Sequence, residues 1–236
     1  MKKSKKIAFI TNFILVLTIF SVFTVLFMPT PTQTISGGEE ISAIYNGNRE
    51  KRNVSLMFNV YENSQVVCDI LEVLNKYNVK ATFFIGGCWA DDNAKTLIKI
   101  RDSGNEIANH GYYHKDHKSL DYNSNVSEIN NTDTFIKASC GVKPTLFAPP
   151  SGSFSNQTLK ACYDLGYKVI MWSKDTIDWR DKDQNKVFYR ATNQLSNGDL
   201  ILMHPKTHTL KALPSIIEYC LKLNYNLVTV SENIAD

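Results

Sequence analysis

The sequence predicts an α/β fold built on a parallel sheet, and three observations predict it. Short apolar runs alternate with longer segments whose apolar residues recur at helical spacing. Several of those segments are closed by Gly or Asn, as helix C-termini are. The polar residues that stand out each follow a strand-like run.

Residues 54–59 open the organised part as a strand, followed by a helix over 65–77 that Asn78 closes. A strand over 81–85 leads to a helix over 91–102, where Asp91 and Asp92 suit the positive end of the dipole and Gly104 ends the segment. The strand over 106–109 runs into His110, and the helix over 123–138 stops at Gly141. Next come a strand over 145–148, a helix over 155–165 closed by Gly166, and a strand over 168–172. A helix over 184–195 with Gly198 behind it, a strand over 199–204, a helix over 209–223 and a strand over 226–230 complete the chain. Strands joined through helices need crossover connections, and crossovers make parallel pairs. Such a sheet either stays open or closes into a barrel, and in both cases its chemistry sits at the C-terminal strand ends.

A chain of 236 residues, 43% hydrophobic and 11% aromatic, can bury a sizeable core, which excludes a disordered or fibrous protein. Lys2, Lys3, Lys5 and Lys6 account for more than the whole formal charge of +3, so the remainder is close to neutral. With no basic, aromatic-interleaved patch, nucleic acid is not an expected partner. With no Gly-rich phosphate loop or dinucleotide fingerprint, neither is a nucleotide cofactor.

Residues 1–6 form a basic end, and residues 7–28 contain no charged side chain. That run can span a bilayer, and no small-x-small cleavage pattern precedes Pro29. The expectation is an uncleaved transmembrane anchor with its basic end in the cytoplasm and the rest outside. The protein would then belong to the cell membrane, held by a single pass; the alternative is a signal sequence cleaved on secretion. Residues 29–52, rich in Thr, Ser, Gly and Pro, read as an extracytoplasmic linker, and residues 53–236 as the folded domain. The five cysteines, Cys68, Cys88, Cys140, Cys162 and Cys220, are odd in number and show no C-x-x-C pair, so they read as small buried apolar residues.

Three of the five histidines fall between Asn105 and His117. His110 and His114, at i and i+4, have metal-ligand spacing, although such a pair is equally at home packed or solvated. His117 reads as a solvated loop histidine and His208 as a surface or capping residue. Asn59, Pro149-Pro150, Asp175, Asp178 and His204 follow other strands, so a parallel sheet would bring them to the same rim. Glu62 reads as a solvated loop charge with a possible ligand role, and Glu106 as a structural polar residue. Trp172 reads as core, while Trp179 offers an indole face to a sugar.

Five blocks in order resemble the NodB-like polysaccharide deacetylases, over about residues 54–232. They are Leu56-Met57-Phe58-Asn59-Val60, Asn109-His110-Gly111-Tyr112-Tyr113-His114, Ala148-Pro149-Pro150-Ser151-Gly152, Asp175-Thr176-Ile177-Asp178-Trp179 and Leu202-Met203-His204. The resemblance implies a distorted parallel (β/α) barrel of about seven strands. It also implies metal-dependent hydrolysis of acetamido groups on N-acetylated amino sugars, in a cell-envelope polysaccharide such as peptidoglycan. His110 and His114 would be ligands of a divalent metal, with zinc as the expected ion. His204 would be the general acid, with Asp178 orienting it and keeping it protonated, and Asp175 belonging to the same catalytic group. Pro150, Ser151, Trp179 and Leu202 would contact substrate, the Ser151 backbone N–H facing the oxyanion.

The departures fall on one side of the site. Asn59 stands where the family has its base, and an amide cannot take a proton at neutral pH. Val60 stands where the family has a third ligand, and Ala148 where it has an arginine that pairs with the base. Glu62, then Asn59, are the candidates for a replacement ligand. Three readings follow: a working variant that uses metal-activated water, a carbohydrate-binding relative that does no chemistry, and a structural protein that keeps only the fold.

Overall fold

The computed structural model describes residues 41–235, so the basic end, the apolar run 7–28 and residues 29–40 of the expected linker lie outside the described residues. Among the described residues, no helix is long and apolar enough to cross a membrane.

β1 (Asn53–Val60) is the central strand, buried from Val54 onward. β2 (Thr82–Ile85), β3 (Glu106–Asn109), β4 (Leu146–Phe147) and β5 (Lys168–Val169) extend the sheet on one side. β7 (Asp199–Met203) and β6 (Lys174–Asp175) extend it on the other, and β8 (Asn226–Leu227) pairs with the start of β1. Every ladder is parallel. The order β5-β4-β3-β2-β1-β7-β6 leaves β5 and β6 as edges, so the expected barrel is an open half-barrel. The crossovers are α1 (Ser64–Lys76), α2 (Gly87–Asp92), α3 (Ala94–Asp102), α4 (Tyr122–Cys140), α5 (Asn156–Asp164), α6 (Gln184–Thr192) and α7 (Thr207–Lys222), with α8 (Val230–Asn233) at the end.

The sheet separates two sets of side chains because successive strand residues point to opposite faces. Leu56, Phe58 and Val60 of β1 join Ile70 and Leu74 of α1 and Ile216 of α7 in the large core between sheet and helices. Met57 joins Phe84, Ala108, Ala148 and Leu202 in a smaller cluster on the other face. Asn59, two residues past Met57, continues that second face to the strand end.

The differences from expectation have local causes. The helix over 91–102 is two helices meeting at Asn93 (φ −129°), so Asp91 and Asp92 close α2 rather than opening a helix. β6 is two residues long, too short for a periodic signal. The run 226–230 is strand only over Asn226–Leu227, because Thr229 caps α8. Residues 41–52, expected to be linker, are tied to the domain: Ile44 bridges to Ile170, and the N–H of Gly47 donates to Gly198 O at 2.7 Å. Gly198 (φ 76°) is required there, since a Cβ would lie 2.7 Å from Gly47 O. Gly141 (φ 74°) closes α4 in the expected left-handed conformation.

Candidate functional site

β6 pairs Asp175 with Leu202 of β7, so the two loops that leave these strands begin side by side. Asp175 Oδ1 accepts the N–H of Ile177 at 2.8 Å, and Ile177 adopts φ 51°, which turns the chain so that Asp178 faces His204. Asp178 is 1% exposed. Its Oδ1 lies 2.7 Å from His204 Nδ1, and its Oδ2 accepts the His204 N–H at 2.7 Å and the Thr209 hydroxyl at 2.6 Å. Burial pushes its carboxyl up, but the hydrogen bonds and charge of His204, with Thr209, pull further and leave it below the usual carboxylate range. His208, expected at the surface, places Nε2 2.7 Å from the Asp178 carbonyl oxygen, so α7 braces this unit from its first turn.

On the opposite flank, the His110 N–H donates to Ile85 O at 2.9 Å, and Nδ1 lies 2.8 Å from Ala148 O. A carbonyl can only accept, so Nδ1 carries the proton and Nε2 keeps its lone pair. Burial first, then the neighbouring His114, push the His110 pKa down to about 3, so the ring is neutral. The His114 ring centroid lies 5.2 Å from that of His110, its backbone is left-handed (φ 53°), and burial lowers its pKa too. His117, expected to be solvated, is fully buried: its Nδ1 is 2.7 Å from Asn125 Oδ1 and its ring packs on Phe147 at 4.9 Å.

A cavity of about 580 Å³ opens between these flanks. Asn59, His110, His114, Asp175 and His204 give it polar groups, and Trp172, Trp179 and Leu202 give it apolar walls. Trp172, expected in the core, therefore also lines the cavity. Trp179 is 55% exposed at its mouth. Ser151, at φ 55°, reaches the cavity; Pro150 is buried and is not among the lining residues, so it shapes the turn behind Ser151 rather than the surface.

The base side differs from the expected ligand set. The Glu62 carboxylate is paired with Lys206 Nζ, which makes it a poor third ligand. Val60 is fully buried in the large core, away from the cavity. Asn59 is 5% exposed, and its Oδ1 has no hydrogen-bond partner among the described residues. Among those residues, no group of three His, Cys, Asp or Glu side chains is placed to hold a metal ion. Tyr61, Lys206 and Thr209 were not anticipated; Tyr61 follows β1 and Lys206 follows His204-Pro205, so their closeness to strand ends was the available signal.

An open parallel sheet thus carries an Asp-anchored histidine facing an imidazole pair across a strand-end cavity. The polysaccharide deacetylase family model matches residues 46–170, and the chain belongs to that family. It is 36% identical to the Bacillus subtilis uncharacterized protein YlxY, over 80% of this chain and 59% of that one. It is 33% identical to the B. subtilis peptidoglycan-N-acetylmuramic acid deacetylase PdaC, over 76% of this chain and 38% of that one. The chain thus spans less than two thirds of the length of these relatives. The crystal structure of BA3943, described as a CE4 family pseudoenzyme from Bacillus anthracis, superposes with a TM-score of 0.81 at 33% identity, covering 84% of this chain and 70% of that one. A mutant of BA3943 described as having restored enzymatic activity superposes equally well.

Proposed function

We propose that this domain de-N-acetylates an N-acetylated amino sugar of a cell-envelope polysaccharide of the peptidoglycan type, as a hydrolase of a carbon–nitrogen bond other than a peptide bond. The observation that carries the reading is His204, fixed through Nδ1 on a buried carboxylate and facing a cavity with apolar walls. His204 Nε2 is the atom left to protonate the departing amine. Leu202 and Trp179 flank the acetyl methyl, and the Ser151 N–H faces the oxyanion. PdaC, by its name a peptidoglycan deacetylase, supports the choice of polymer.

The unpartnered Asn59 Oδ1 and the lone pair of His110 Nε2, from two residues that line one cavity, fit a metal held by His110, His114 and Asn59, all neutral donors, with zinc as the expected ion. Such an ion would supply Lewis acidity and lower the pKa of water at the site. The run 7–28 after four lysines supports a membrane anchor with the domain outside; protease accessibility of the domain on intact cells tests it.

A second reading, glycan binding without turnover, is favoured by Asn59 itself: the amide at the base position cannot take a proton at neutral pH. BA3943, described as a pseudoenzyme, supports it too. The test is acetate release from peptidoglycan and from N-acetylglucosamine oligomers by the full-length protein, with zinc, with chelator and as His204→Ala. Acetate that needs zinc and vanishes with His204→Ala supports deacetylation. Glycan binding without acetate overturns it in favour of the binding reading.

A further inference from the structure

We infer that Glu128, on α4, is a positioning residue for the His110–His114 pair: it fixes the loop between the two imidazoles by accepting that loop's backbone N–H groups. Glu128 is 3% exposed, and its Oε2 accepts the N–H of Tyr112 at 2.9 Å and of Tyr113 at 2.7 Å. Its Oε1 pairs with Lys115 Nζ at 3.0 Å. One carboxylate thus grips residues 112, 113 and 115, on both sides of His114.

The surroundings show why a buried carboxylate is needed. α4 turns three polar residues inward, Asn125, Glu128 and Thr132, at spacings that share one helix face. Asn125 holds His117 and accepts from its ring, while the Gly111 N–H donates to Asn109 Oδ1 at 2.9 Å. Gly111 has φ 73°, and a Cβ there would lie 2.9 Å from His117 Nε2 and 3.7 Å from Glu128 Oε2. The loop therefore passes hard against these side chains at Gly111. The N–H groups of residues 112 and 113 both find their acceptor in the buried Glu128 carboxylate. His114 at φ 53° is an uncommon conformation for a residue with a Cβ, and it persists only where the surroundings over-determine it. Removing the acceptor frees the loop, and with it the direction in which the His114 ring points.

The inference concerns placement, and only its zinc arm rests on the metal reading above. The experiment is histidine side-chain NMR on the metal-free full-length protein at alkaline pH, followed by zinc titration, for wild type, Glu128→Ala, Glu128→Gln and Lys115→Met. In Glu128→Ala the His114 resonances are expected to move toward those of a free histidine while those of His204 and His208 stay in place. Zinc affinity is expected to fall roughly tenfold. Glu128→Gln keeps one acceptor oxygen and restores most of the His114 position; Lys115→Met shifts it least. Should Glu128→Ala fail to fold, Glu128→Gln and Lys115→Met carry the comparison, with a graded His114 shift expected. A folded Glu128→Ala protein with His114 at its wild-type resonance overturns the inference, as does an ungraded Gln and Met pair if Ala is unfolded. If wild type binds no zinc, the metal reading fails while the NMR shift still judges Glu128.

Discussion

Asp178 holds His204 at two points, ring and backbone: Oδ1 lies 2.7 Å from Nδ1, and Oδ2 accepts the His204 N–H at 2.7 Å. Rotating the imidazole about its side-chain bonds breaks the first contact but not the second, so the ring returns to one orientation. The same Oδ2 takes the Thr209 hydroxyl, which ties that orientation to the first turn of α7.

Thr209→Val tests that tie, because it keeps the shape of the side chain and deletes one of three donors to a buried carboxylate. We expect a loss of about 1–2 kcal/mol in stability, read by urea unfolding. On the proposed function, acetate release should fall roughly tenfold with little change in KM, since the lost group orients His204 and does not line the cavity. An unchanged rate would show that the two bonds to His204 suffice alone.

The depressed carboxyl of Asp178 sets an acid limb of stability. A carboxylate whose folded pKa lies below its unfolded value stabilises the fold above the unfolded pKa, and that contribution is lost as pH falls through the folded pKa. Asp178→Asn should therefore be less stable than wild type at neutral pH, by about 3–5 kcal/mol, and approach it in acid. Unfolding free energies across that range, with a gap that stays constant, would contradict the assignment.

The fold was legible because β1, β2, β3 and β7 are strands of four or more residues centred on apolar side chains and the helices between them keep a buried stripe. β6 was not, since two residues, Lys174 and Asp175, make no pattern and form a strand only because β7 offers them an edge. Within the site, His110, His114, Asp178 and His204 were readable from their positions after strands. The fate of Glu62 was not: its pairing depends on Lys206, 144 residues away in sequence. Nor could spacing reveal that His117 is buried, because Asn125 of α4 and Phe147 of β4 enclose it.

The cysteines give a check on the core that is independent of the site. Burial pushes the thiols of Cys162 and Cys220 up to about 12, and Cys140 is buried as well. All five are free, with Cys68 and Cys88 partly accessible. Alkylation of the native protein followed by peptide mass mapping should modify Cys68 and Cys88 and spare the other three until denaturant is added. Rapid labelling of Cys162 in the native state would show that the cluster it shares with Phe147 and Tyr167 opens readily.

The base side allows the sharpest test of what the site has lost. Val60 is the last residue of β1 and packs with Phe58 in the large core, so Val60→Asp buries a carboxylate among apolar groups. Without metal we expect it to cost about 3–5 kcal/mol, unless the strand end turns the carboxylate toward His110 and His114. A metal makes that turn favourable: binding at a hundred times Kd returns about 2.7 kcal/mol. The variant should therefore show a larger zinc-induced rise in Tm than wild type. Asn59→Asp alone gives a proton acceptor at the cavity, while residue 148, a buried Ala, offers it no guanidinium. It should cost about 1–3 kcal/mol, with little gain in turnover. Combined, the two substitutions supply a base and an anionic ligand, and zinc-dependent acetate release should rise about 10²–10⁴-fold over wild type. A double variant that is folded, binds zinc and still releases no acetate would place the deficit outside the base side, with Ser151 and the cavity walls the next residues to replace.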